Sequence, residues 1–139
     1  MHIRAFEAGD ESSVVQLWMD CGLVVPWNDP RKDIHRKIKV QREMFLVATV
    51  DETVVGSVMA GYEGHRGWVN YLAVHPDYRG RGIAVSLMDT VEEMLRSAGC
   101  PKINLQIRSS NTEVIDFYTK IGFKVDQAIS MGKRLEPDN

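Results

Sequence analysis

A chain of 139 residues has room for one hydrophobic core and not for two, so any active site must be assembled within a single domain spanning residues 1–139. A composition of 44% apolar and 26% charged residues excludes extended disorder. Seventeen Lys and Arg against nineteen Asp and Glu leave a net charge of -2, which excludes the broad positive field that holds nucleic acid or an anionic membrane.

Residues 1–4 bring no apolar leader region, and no later run approaches the roughly 20 apolar residues of a bilayer span, so the cytoplasm is the expected location. Residues 2–6 read as a first strand, with Ile3 and Ala5 on one face. Asp10 is placed to cap a first helix in which Val14, Val15, Leu17, Trp18 and Cys21 recur at helical spacing, and Gly22 ends it. Residues 25–30 carry two prolines and an Asx turn signal and predict a fixed loop. A more polar helix follows over 31–40, burying Ile34 and Ile38.

Residues 45–50 and 54–62 are two runs rich in β-formers around an Asp51-Glu52-Thr53 turn, which predicts a hairpin. Residues 68–74 make a further strand that His75-Pro76 breaks. Ile83, Ala84, Leu87, Met88, Val91, Met94, Leu95 and Ala98 then mark a long amphipathic helix ended by Gly99. Residues 102–107 predict a strand, 111–121 a shorter helix stopped by Gly122, and 123–135 one or two closing strands. The sum is an α/β three-layer domain: a mixed sheet of six to seven strands, antiparallel in front, with βα crossovers behind and helices on both faces. The glycines do not follow a first strand in G-x-G-x-x-G spacing, which argues against a Rossmann unit.

The most informative stretch is Leu72-Ala73-Val74-His75-Pro76-Asp77-Tyr78-Arg79-Gly80-Arg81-Gly82-Ile83-Ala84. A strand stops at a proline and the chain turns through two glycines straight into a helix, whose first N–H groups have no intrahelical partner. Gly80 and Gly82 permit close approach and unusual dihedrals, and Arg79 and Arg81 add positive charge where the helix dipole is already positive. Alone, the Arg-Gly-Arg-Gly tetrapeptide is equally an exposed basic turn. Its setting between an apolar strand and an apolar helical stripe favours a pyrophosphate cradle.

Arg79-x-x-Gly82-x-Ala84 resembles the Q/R-x-x-G-x-G/A signature of the GNAT N-acetyltransferase superfamily. Asn111, Tyr118 and the Gly122-Phe123 pair resemble that family's second motif. With the strand order, the resemblance covers nearly the whole chain and is strongest over 72–123. The Pro-Trp-Asn-Asp-Pro loop at 26–30 is similar to that of the YpeA-type small bacterial acetyltransferases.

The resemblance implies a GNAT-type fold and transfer of an acetyl group from acetyl-CoA, as cosubstrate, to a primary amine by direct attack. It implies that the backbone of Leu72, Ala73 and Val74, freed by a strand bulge, contacts the pantetheine arm and the acetyl carbonyl. Arg79, Gly80, Arg81, Gly82, Ile83, Ala84 and Val85 would hold the pyrophosphate. Asn111 would contact the cofactor arm, although an Asn at a helix start is also a good N-cap. Tyr118 would protonate the departing thiolate, or else pack as an aromatic core residue beside Phe117. Some relatives carry a Glu base where this chain has Gln106. The remaining candidates for accepting the amine proton are a water held by backbone carbonyls, His65, or Glu63.

Loops that shape the acceptor site in such enzymes here contribute Trp27, Asn28 and Glu63, a mixture that selects no substrate class. Partners are therefore acetyl-CoA and an amine acceptor, with no nucleic acid and no membrane, and a homodimer is expected from the pairing common among such enzymes. Cys21 and Cys100 lie far apart without ligand spacing and read as reduced thiols, so no metal is expected. The alternative is a coenzyme A-binding sensor or partner-binding module that has lost its catalytic apparatus.

Overall fold

The computed structural model describes residues 1–138. In chain order the elements are β1 (His2–Ala5), α1 (Glu11–Asp20), α2 (Pro30–Lys37), β2 (Phe45–Val50), β3 (Thr53–Tyr62), β4 (Gly67–Val74), α3 (Ile83–Ser97), β5 (Ile103–Asn104) and α4 (Thr112–Lys120). The strands form one sheet in the order β1-β2-β3-β4-β5; the first three pairs are antiparallel and β4 with β5 is parallel.

The sheet buries both faces. Along β2, Phe45 and Val47 point toward α1 and α2, packing with Val14, Leu17, Trp18 and Ile34, while Leu46 and Ala48 point toward α3, packing with Leu87, Val91 and Leu95. An unbroken apolar run is the pattern of a strand covered on both sides. The three-layer arrangement follows, with α1 and α2 on one face and α3 with α4 on the other.

Local starts differ in kind. Asp29 caps α2 by accepting from the N–H groups of Arg31 at 2.9 Å and Lys32 at 3.2 Å, with Pro30 at the first helical position. Asp10 does not cap α1. Its carboxylate is taken up by a bidentate pair with Arg4 at 2.7 and 2.9 Å and by the Glu7 N–H, which ties β1 to the helix start.

Three expectations are corrected. The second helix stops at Lys37 rather than at 40, because the Lys37 ammonium turns in to the carbonyls of Val40 and Ala60 and the chain turns at Gln41, φ +49°. The strand expected over 102–107 shortens to Ile103–Asn104. The sheet has five strands among the described residues, not six to seven, and residues 123–138 form none. The two-residue β5 offers too short an edge for another strand to pair with. Polar side chains fasten the tail instead: Lys102 to Asp126 at 2.8 Å, Gln106 to Ser130, Arg134 to Asn28 at 2.6 Å, and Arg36 to Asp138 at 2.7 Å. Val125, Ile129, Met131 and Leu135 remain 84–91% exposed.

Candidate active site

The site begins with a defect in β4. Ser57 pairs with Ala73 and Met59 with Asn70, so Tyr71 and Leu72 together stand opposite Val58. This is a β-bulge, and Tyr71 sits in it at φ +53°. A non-glycine residue in that region costs about 1–3 kcal/mol and persists only where its surroundings hold it.

The extra residue changes which backbone groups face β5. The Gly67 N–H donates to the Lys102 carbonyl, so before the bulge Gly67 and Val69 face β5. The His75 N–H donates to Val55 and Ala73 pairs with Ser57, so after the bulge Ala73 faces β3 while Leu72 and Val74 face β5. There β5 is already gone, since its pairing ends at Trp68↔Asn104. The two segments part, and a gap opens with the Leu72 backbone and the Val74 N–H on one side and residues 105–107 on the other, while the Val74 carbonyl accepts from Arg79 Nε at 3.2 Å and Cys21 Sγ at 3.3 Å. The side chains of Leu72 and Val74 pack into the core on the α3 side.

At the far end of β4 lies the cradle. Pro76–Tyr78 form a single 3-10 turn, and the chain then passes Gly80 at φ +78° and Gly82 at φ +77° into α3. Gly82 is the N-cap and has no side chain to satisfy the helix start. The first intrahelical bond runs from Ser86 N–H to Gly82 carbonyl at 3.0 Å, which leaves Ile83, Ala84 and Val85 with unpaired N–H groups. No acidic residue stands in the first turn. Arg79 donates from Nε to the Val74 carbonyl at 3.2 Å, and the Arg81 guanidinium lies 4.9 Å from the Tyr78 ring centre. A chain of unpaired donors, two left-handed glycines and flanking guanidinium groups fits a pyrophosphate.

Tyr118, on α4, is 7% exposed and belongs to the same apolar cluster as Leu72, Val74, Leu105 and Ile107, which line the two sides of the gap. Phe117 and Phe123 meet its ring edge-on at 5.2 and 5.3 Å. Burial pushes its phenol up to about 12. The Tyr118 hydroxyl makes no hydrogen bond among the described residues and is not fully enclosed.

The Acetyltransferase (GNAT) family model matches residues 12–123, a span that holds the bulge, the cradle and Tyr118. The chain belongs to the GNAT acetyltransferase family. An acetyltransferase of Yersinia pestis is 50% identical over 138 residues, covering 99% of this chain and 98% of its own. The fold is shared with Ard1 from Thermoplasma volcanium, at a TM-score of 0.77 and 24% identity over 90% of this chain and 83% of that one. It is shared too with the PaiA N-acetyltransferase from Thermoplasma acidophilum, a structure in complex with coenzyme A, at 0.74 and 19% identity over 92% of each chain.

Other residues singled out from the sequence of this GNAT acetyltransferase are spread more widely. Asn111 caps α4, its Oδ1 accepting from Val114 N–H at 3.3 Å. His65 and Glu63 lie in the turn between β3 and β4, at the end where β4 is paired with β5. Four strand steps of about 3.3 Å, or roughly 13 Å, separate Gly67, where the turn holding His65 enters β4, from Tyr71. Glu63 accepts from the N–H groups of His65, at 2.7 Å, and Arg66, and the bond from Arg66 leads in holding its carboxyl below the usual range. The structure thus brings Leu72, Val74 and Tyr118 together and leaves His65 and Glu63 at the closed end. Glu63 also lines a cavity of about 220 Å³ on the α2 face of β4, with Lys37, Gln41, Met59, Trp68 and Asn70.

Trp27 and Asn28 sit in the loop between α1 and α2. The Arg108 guanidinium lies 5.5 Å from the Trp27 ring centre, and Arg134 donates to Asn28 at 2.6 Å, so this loop is tied to the chain beyond β5 and to the tail. Sequence reasoning missed Tyr71, Ser57, Arg108 and the tail contacts. A Tyr within an ordinary strand run carries no signal of a left-handed dihedral, and single residues 14 to 106 positions apart reveal no pairing.

Proposed function

We propose that this acetyltransferase uses acetyl-CoA and acetylates a primary amine, on a small metabolite or on a peptide or protein, in the gap between β4 and β5. The observation that carries this is the alignment of the two backbone features: bulge-freed groups of Leu72 and Val74 face a gap whose far end is the uncapped start of α3. Bound acetyl-CoA supplies an acyl thioester activated toward a nucleophile. Gly80, Gly82 and the N–H groups of Ile83, Ala84 and Val85, with Arg79 and Arg81, hold the pyrophosphate. The Leu72 backbone and the Val74 N–H offer the arm hydrogen bonds of the kind a sheet neighbour would otherwise take, and the Ala73 side chain is core. Asn111, with its Oδ1 committed to the cap, has its amide N–H groups to offer.

Tyr118 holds its proton throughout the physiological range and delivers it to the departing sulfur as the thiolate develops. Gln106 cannot act as a base, and its amide donates to Ser130. Glu63 is made less basic by its turn, and His65 lies at the closed end. The acceptor therefore loses its proton to solvent entering the gap. Trp27 and Asn28 border the acceptor's approach, and Glu63 is left to the cavity on the α2 face of β4. The exposed apolar side chains of the tail offer surface for a homodimer, which light scattering tests.

The test is incubation with acetyl-CoA and a panel of amines, reading free thiol and N-acetyl product by mass spectrometry. Thiol release matched by N-acetyl product for at least one primary amine is expected. Thiol release at the hydrolytic background with every amine would contradict the reading.

A further inference from the structure

We infer that Ser57, backed by Trp18, is a positioning residue that holds the β4 bulge in its working aim. Ser57 is fully buried in the middle of β3, in a run that is otherwise apolar from Val54 to Ala60 apart from Gly56, and nothing in the packing of that face calls for a hydroxyl there. Its Oγ lies 2.9 Å from the indole Nε1 of Trp18 and 2.9 Å from the carbonyl oxygen of Tyr71. An indole N–H only donates, so it fills the accepting side of the hydroxyl and leaves the single Ser57 proton one destination, the Tyr71 carbonyl. That carbonyl belongs to the residue inserted at the bulge, the one at φ +53°.

The Tyr71 side chain is held as well. Its ring stacks on Trp18 with centres 3.8 Å apart and planes 13° apart, and its hydroxyl donates to Asp33 Oδ2 at 2.7 Å. Anchors from α1, β3 and α2 thus converge on one strained residue. What they fix is the change of alternation that turns Leu72 and Val74 toward the gap. The inference rests on the reading of that gap as the acyl-transfer site. Ser57 touches neither the gap nor the cradle, so removing its hydroxyl should impair the step that depends on the aim of Leu72 while leaving pyrophosphate binding in place.

The test is Ser57→Ala, measured for kcat with the best amine of the panel and for coenzyme A Kd. We expect kcat to fall about tenfold or more, short of the loss that follows direct removal of a transition-state donor, with Kd changed less than about threefold, which is under 1 kcal/mol. A kcat close to that of the native chain, or kcat and affinity falling in proportion, would overturn the inference. Trp18→Phe keeps the stack on Tyr71 but removes the donor that orients Ser57. It should show the same split more weakly, and it serves in place of Ser57→Ala if that variant does not fold. Amide exchange at Ala73, which pairs with β3 just after the bulge, measured in the unliganded protein, separates this from the function itself. Faster exchange in Ser57→Ala supports the bulge role even if no amine is acetylated, and unchanged exchange removes it.

Discussion

The cradle before α3 and the face between α1 and the tail, which we propose receives the acceptor, are built from different materials. The cradle is backbone: Gly80 and Gly82 at positive φ and the unpaired N–H groups of Ile83, Ala84 and Val85. The acceptor face is long side chains holding one another, with Arg108 over Trp27, Arg134 on Asn28, and Arg36 and Arg134 around Asp138. A backbone site is fixed by local dihedrals and fails at a single substitution. A side-chain site is spread over many weak contacts and yields by degrees.

The sharpest break of that contrast is Gly82→Val. A β-branched residue at φ +77° is strained whatever space surrounds it, and its bulk would stand where an anion must approach the helix start. Calorimetric titration should show coenzyme A binding reduced by about 100-fold or more, an effect of about 2.7 kcal/mol. Retained affinity would mean that the cradle is not where the anion sits.

Tyr118→Phe keeps the packing against Phe117 and Phe123 and removes the proton. Turnover should fall by about 10²-fold, toward the low end for loss of a general acid, with coenzyme A affinity unchanged. Unchanged turnover would return Tyr118 to a packing role. In the native chain the rate should rise with pH as the acceptor amine deprotonates, without a falling limb until the pH nears the Tyr118 value of about 12. His65→Ala should leave that profile intact, and a changed profile in that variant would make His65 the base.

On the side-chain face the effects shrink. Trp27→Ala removes one partly exposed cation–π contact worth about 0.5–1 kcal/mol, so KM for the acceptor should rise about two- to fivefold with cofactor affinity unaltered. Smallest at neutral pH is Arg36→Ala, which unfastens the tail end and should speed tryptic cleavage after Lys133 and Arg134 with little change in the melting temperature. In the native chain acid should do the same. Arg36 holds the Asp138 carboxyl below its ordinary value of 3.8, so the folded state favours the charged form. That contribution is present above the ordinary value and is lost as the pH falls below about 4. Cleavage by an acid protease that rises only below this range is the expected sign.

The backbone site was legible in the sequence because its causes are local. Glycines two apart, a proline ending the strand and an apolar helical stripe sit within thirteen consecutive residues. The hairpin, α3 and the capped α4 were legible for the same reason. The bulge residue was not. Tyr71 adopts its dihedral because Ser57, Trp18 and Asp33, from three other elements, hold it, and nothing in those segments' sequences points to Tyr71. The tail was misread for the opposite reason: Val125, Ile129 and Leu135 carry β propensity, but propensity makes no strand where β5 presents two residues to pair with.

The central claim is that the start of α3 binds the pyrophosphate of coenzyme A, and thermal unfolding with coenzyme A tests it most directly. At 100 times its dissociation constant, a ligand bound only by the folded state adds about 2.7 kcal/mol. For a chain of this size that is roughly 5 °C or more in Tm. The native chain should show that rise and Gly82→Val should not, whereas a native Tm unmoved at millimolar coenzyme A, or an equal rise in both, would contradict the account.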